Sequence, residues 1–198
     1  MKTEDISVQS GEYYYLSAWL RAEENKTEKA FVRLQKSVDA NVTFYTENAK
    51  ALTTDWTQLQ GIAHVKTGGT VFMTAQLNTD TGTSDNRTKA YIFEADDYEM
   101  IKIAPQATSN LPVSGTIKVD GPAALNLDTT KVTIEGGTVS AVAYNTTDNT
   151  WDITYSGLTA GSTYSLVLKT EGMSAVANYP TFAITTAAAA APVITNIL

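Results

Sequence analysis

Turn-forming clusters break this chain at short spacing from end to end: "NKTE", "SVDAN", "TGGT", "NTDTGTSDN", "EGG", "NTTDN" and "TAGS". Between them Thr, Val, Tyr and Ile dominate, so the segments are too short for stable helices and suit β-strands. The best helix candidate, "LRAEENKTEKAFVRL" at 20–34, has a polar middle that reads better as a loop between two strands. The fold class expected is therefore all-β.

Size and charge narrow the function classes. At 198 residues the chain suffices for one large or two ordinary domains, and 43% hydrophobic against 18% charged residues fits a folded protein. The net charge of -7 argues against a phosphate backbone as partner, and no Lys/Arg cluster suggests an anionic membrane surface. With no cysteine there is no disulfide framework, thiolate metal site or thiol nucleophile. No apolar run approaches the roughly 20 residues of a membrane helix, so no membrane insertion is expected. The start, "MKTEDISVQSGEYYY", has no signal-peptide apolar core, so the chain is expected to be a piece of something larger or not to be secreted by that route.

Composition shifts near Ala104. Basic residues concentrate before it, and only Lys118, Lys131 and Lys169 follow. This divides the chain into a domain at 1–104, a linker at 105–113, a second domain at 114–186, and at 187–198 a linker leading into the first strand of a following module. In the second domain, "GLTAGSTYSLVL" sets Leu158, Gly161 and Tyr164 at the spacing of a tyrosine corner, in which a leucine is buried, a glycine turns the chain and a tyrosine folds back. Trp151 is expected in packing rather than on a binding platform.

Strand alternation yields the functional hypothesis. In "GEYYYLSAWLRA" it sends Tyr14, Leu16, Ala18 and Leu20 one way and Tyr15, Ser17, Trp19 and Arg21 the other. In "KAFVRLQK" it puts Val32 and Leu34 inside, opposite Phe31, Arg33 and Gln35. In the strand after Trp56, Leu59, Ala63 and Val65 are inside, opposite Gln58, Gln60 and His64. In "VFMTAQLNT", Val71, Met73, Ala75 and Leu77 are inside, opposite Phe72, Thr74 and Gln76. Four strands thus offer aromatic, Arg and Gln groups opposite an apolar face. Sugar rings stack on aromatic faces, and their hydroxyls need hydrogen-bond partners of this kind. The alternative is a solvated face whose aromatics serve cross-strand packing.

The series Gly11 with Tyr14, Trp56 with Thr57, and Asp96-Asp97 before the last strand resembles the family 4/9-type carbohydrate-binding modules, which are jelly rolls. The second half resembles the bacterial Ig-like domains of S-layer and cell-surface proteins. The resemblance implies a partial β-jelly-roll followed by an Ig-like β-sandwich, extracellular or on the cell surface. It implies a non-catalytic function in which polysaccharide or cell-wall glycan is held by Tyr15, Trp19, Arg21, Phe31, Arg33, Gln35, Gln58 and Gln76, with Trp56 structural. It also implies a structural calcium, for which Asp96 and Asp97 are the candidate ligands. The family's opening segment is missing here, which predicts open edges or an unfilled core face. It also suggests that the chain belongs to a tandem array, or that "PVITNIL" completes a neighbour's sheet in a homo-oligomer by strand exchange. The rival function is a structural or assembly module of a surface layer, fibre or phage tail. Catalysis finds no support: His64 is the only histidine, and no pair among the 21 acids stands out.

Overall fold

A computed structural model describes residues 4–23, 29–36, 44–45, 50–78, 93–170 and 179–190. The protein is all-β, with one 3-10 turn, Ala123–Leu125, as the only helical element among the described residues. It divides into two compact units, Met1–Ala104 with Thr170–Pro180, and Pro105–Lys169 with Thr181–Leu198.

The first unit contains β1 (Ile6–Val8), β2 (Tyr13–Ala22), β3 (Lys29–Lys36), β4 (Phe44–Tyr45), β5 (Lys50–Ala51), β6 (Thr57–His64), β7 (Gly69–Asn78) and β8 (Phe93–Pro105). One sheet has the order β1-β7-β3-β5, and the other places β2 between β8 and β6, with β4 outside β6. All described pairings are antiparallel, running from Tyr13↔His64 to Leu20↔Thr57 between β2 and β6, and from Lys29↔Asn78 to Lys36↔Val71 between β3 and β7.

Both sheets turn their apolar faces to a single core. Leu16, Ala18, Leu20 and Leu59 from one sheet meet Val32, Leu34, Val71 and Met73 from the other, and all are essentially inaccessible to solvent. Alternation assigned these inward positions correctly, because burying one face of a strand fixes the direction of every second residue. Leu77 lies outside the described side chains. The core face expected to be unfilled is covered, since the second sheet closes over the first.

The second unit contains β9 (Gly115–Asp120), β10 (Val132–Ile134), β11 (Thr138–Asn145), β12 (Thr150–Ser156), β13 (Thr163–Leu168) and β14 (Thr181–Thr185). Its sheets are β11-β12-β9 and β10-β13-β14. The corner is formed as the spacing predicts. Gly161 turns the chain at φ +69, Leu158 is buried, and the Tyr164 hydroxyl accepts from the Thr159 N–H at 2.7 Å. These bonds to the phenolic oxygen hold the Tyr164 pKa below its ordinary value. Trp151 is buried and donates from Nε1 to the Pro122 carbonyl at 3.0 Å, a packing residue as expected.

The stretch 105–113 is not a free linker. Leu111 is buried and forms a parallel bridge with Thr186, donating to the Thr185 carbonyl and accepting from Ala187. Val113 accepts from the Leu158 N–H. Pro and small polar residues made this segment look like a linker, but its backbone hydrogen bonds make it part of the second unit.

Candidate functional site

Pairing decides what the faces can do. On β2, the residues turned away from the core are Tyr13, Tyr15, Ser17, Trp19 and Arg21. Register places them, in that order, beside Ile103, Ile101, Glu99, Asp96 and Glu94 of β8. On the β6 side their partners are His64, Ile62, Gln60 and Gln58, with Trp56 continuing the row at Arg21. The result is a three-strand grid that changes character along its length.

One end of the grid is apolar and closed. Tyr15 is 3% exposed, and Tyr13, Ile62 and Ile103 are also buried. Tyr13 stacks on His64 with centroids 4.3 Å apart. Burial, and then the charge of Lys66, lower the His64 pKa, and burial raises that of Tyr15. The sugar-stacking role assigned to Tyr15 is therefore corrected: its ring is enclosed and has no face to offer.

The other end is open. Trp19 is 37% exposed and Trp56 is 39% exposed. They stand diagonally across two paired strands, an arrangement that puts Cα atoms roughly 7–8 Å apart. Arg21 lies beside Trp56, its guanidinium carbon 4.8 Å from the ring centroid. The same group donates from Nε to Glu94 Oε2 at 2.9 Å, and its Nη2 forms an ion pair with that oxygen at 2.7 Å. Glu94 and Trp56 thus fix the guanidinium from both sides. Beyond them a cleft of ≈ 290 Å³ is lined by Arg21, Ala22, Glu23, Thr54 and Glu94. Gln60 Nε2 donates to Gln58 Oε1 at 2.8 Å, and Ser17 Oγ donates to Glu99 at 3.2 Å.

Of the eight expected sugar contacts, Trp19, Arg21 and Gln58 come together here. Phe31, Arg33 and Gln35 do not join them. They lie on β3, in the other sheet, and their partner positions on β7 are Gln76, Thr74 and Phe72. Because one core separates the two sheets, these residues occupy the opposite outer face of the sandwich. The side chain of Gln76 lies outside the described residues. There Arg33 Nη2 donates to Gln35 Oε1 at 3.2 Å while its Nε–H is buried without an acceptor, and burial lowers its pKa. A single four-strand surface is thus replaced by two.

Trp56, read from the sequence as structural, is an exposed member of the open end. Its parity with Gln58 is a signal for this, but only the strand pairing shows that Arg21 comes to it.

Asp96 and Asp97 sit in an irregular stretch of the β2–β8 ladder. Ser17 pairs with Glu99 and Trp19 with Asp96, so Asp97 and Tyr98 together oppose Ala18 in a β-bulge. Asp97 takes the left-handed conformation at φ +49, and its N–H donates to Asp96 Oδ1 at 2.8 Å. Aspartate is one of the few residues that tolerates this backbone. Calcium needs six to eight oxygens, and among the described residues no group of three or more His, Cys, Asp and Glu is placed to hold a metal. A second oxygen-rich stretch of the sequence, "NTDTGTSDNRT" with Asp80, Asp85 and Asn86, reads as a solvated loop and lies outside the described residues but for Asn78.

No protein-family model matches the chain, and neither does any curated protein or solved structure.

Proposed function

We propose that this chain is a non-catalytic glycan-binding module joined to an Ig-like spacer, part of a larger extracellular bacterial protein. The observation that carries this reading is the open end of the β2–β6–β8 face, where two exposed indoles flank a fixed guanidinium. Large aromatic surfaces left in water beside polar groups suit ligands that are apolar on one face and hydroxylated at the rim. The sequence resemblance to jelly-roll carbohydrate-binding modules points the same way, with the contact set reduced to Trp19, Trp56, Arg21 and Gln58. Phe31, Arg33 and Gln35 are left out of it.

Calorimetry against xylan, β-glucan, mannan and cell-wall glycans tests the proposal. Trp19→Ala and Trp56→Ala each weaken binding at least tenfold with the fold intact by circular dichroism, and Phe31→Ala leaves it unchanged. Loss of binding in Phe31→Ala alone would move the site to the other face. The same pair of exposed indoles also suits a partner chain in a surface layer, fibre or phage tail. In that case sedimentation shows concentration-dependent oligomers that Trp19→Ala dissolves, and no glycan binds.

A further inference from the structure

We infer that the sugars held on the open face carry free amino groups; this rests on the glycan-binding reading and narrows it to one ligand class. Four carboxylates lie on this end of the face or in the cleft beside it. Asp96 stands in register beside Trp19, Glu99 lies one position along, and Glu23 and Glu94 line the adjoining cleft. Among the described residues, Arg21 and Lys50 are the cations near them, and both are engaged. Arg21 is bound to Glu94, and Lys50 Nζ donates to the Gln58 carbonyl at 3.3 Å. Asp96 and Glu99 meet no Lys, Arg or His among the described residues; their hydrogen bonds come from the Asp97 N–H and the Ser17 hydroxyl.

This balance discriminates between sugar classes. A uronate or sulfated sugar would bring an anion to a face that already has unneutralised carboxylates. A neutral sugar can still bond the Gln58 Nε2 donors, since only the Gln58 Oε1 is taken by Gln60, but it gains no charge attraction from Asp96 or Glu99. An ammonium group, by contrast, gains twice: from the indole face of Trp19 and from the carboxylate of Asp96 next to it. The cleft of ≈ 290 Å³ is at the small end of ligand pockets, so it admits about one unit of an oligomer while the rest lies along Trp56 and Trp19.

The test is calorimetry of the full chain with a glucosamine oligomer, its N-acetylated counterpart, a galacturonate oligomer and a lysine oligomer, each at low and higher salt. The expected result is tightest binding of the glucosamine oligomer, weakened by salt, and none of the galacturonate. Asp96→Asn and Glu99→Gln, two independent surface variants, each weaken the glucosamine oligomer about two- to fivefold, the range of one exposed ion pair. Neither changes the N-acetylated form. Equal binding of both glucosamine forms, unaffected by either variant, would overturn the inference and leave the platform intact, as would preference for galacturonate. A lysine oligomer that binds as tightly, and is indifferent to Trp19→Ala, would show a surface that reads charge alone. Binding of none of the sugars would end both readings.

Discussion

The Asp-Asp pair gives the sharpest test of the structural reasoning, because its two interpretations predict opposite results for one substitution. Asp97 sits at φ +49 in the bulge opposite Ala18. A residue with a side chain costs roughly 1–2 kcal/mol in the left-handed region, and most of all a β-branched one. Asp97→Gly removes that strain, keeps the N–H that donates to Asp96, and loses about 0.5–1 kcal/mol through greater unfolded-state freedom. The terms nearly cancel, so Asp97→Gly stays within about 1 kcal/mol of the parent. Asp97→Val costs about 1–2 kcal/mol, a fall in melting temperature of roughly 4–8 °C per kcal/mol for a unit of this size. Thermal unfolding followed by tryptophan fluorescence in a Trp151→Phe background reports the first unit alone, since Trp19 and Trp56 are then the only indoles. Calcium or a chelator leaves every one of these transitions in place. Stabilisation by calcium that disappears in Asp97→Gly would refute the bulge reading and restore a metal role for the pair.

Other outcomes follow from single contacts. Because the His64 pKa is lowered in the folded state, its contribution is complete above the unfolded value near 6.5 and is lost as pH falls through the folded value; His64→Phe flattens this part of the pH–stability curve of the first unit. Glu12 is pushed up by burial, but hydrogen bonds from the Gln9 N–H, Lys102 and Tyr14 outweigh that and lower its pKa. Stability therefore falls as pH drops below about 4.5, and Glu12→Gln removes that dependence in acid-titration melts. Leu16→Ala, at the centre of the first core, costs about 2–5 kcal/mol in denaturant titration. Tyr155→Phe leaves the Pro112 carbonyl without its 2.8 Å donor and costs the second unit about 1–2 kcal/mol.

Much of the fold was legible in the sequence, and the reason is local. Alternation needs only the neighbours along one strand, so Leu16, Ala18, Leu20, Val32, Leu34 and Met73 could be assigned to the core without knowing the topology. The corner around Tyr164 was legible for the same reason, being set by seven consecutive residues. Sheet membership is not local. Nothing within "KAFVRLQK" says that it pairs with β7 rather than β2, so residues that alternate alike were placed on one surface although they belong to two. Tyr15 and Trp19 share a face of one strand, yet one is enclosed and the other open, a difference that alternation along the strand does not carry. The bulge at Asp97 likewise requires the register with β2, which no residue near the aspartate pair discloses.

The central claim is that the open end around Trp19 and Trp56 is where ligand binds, and the three indole N–H signals test it directly. In a nitrogen-15 correlation spectrum titrated with a glucosamine oligomer, the Trp19 and Trp56 indoles shift together and saturate. The buried Trp151 indole, held by the Pro122 carbonyl, stays in place. Backbone shifts centred on Phe31 and Arg33, with both exposed indoles unmoved, would contradict the account and place the binding face on the other sheet.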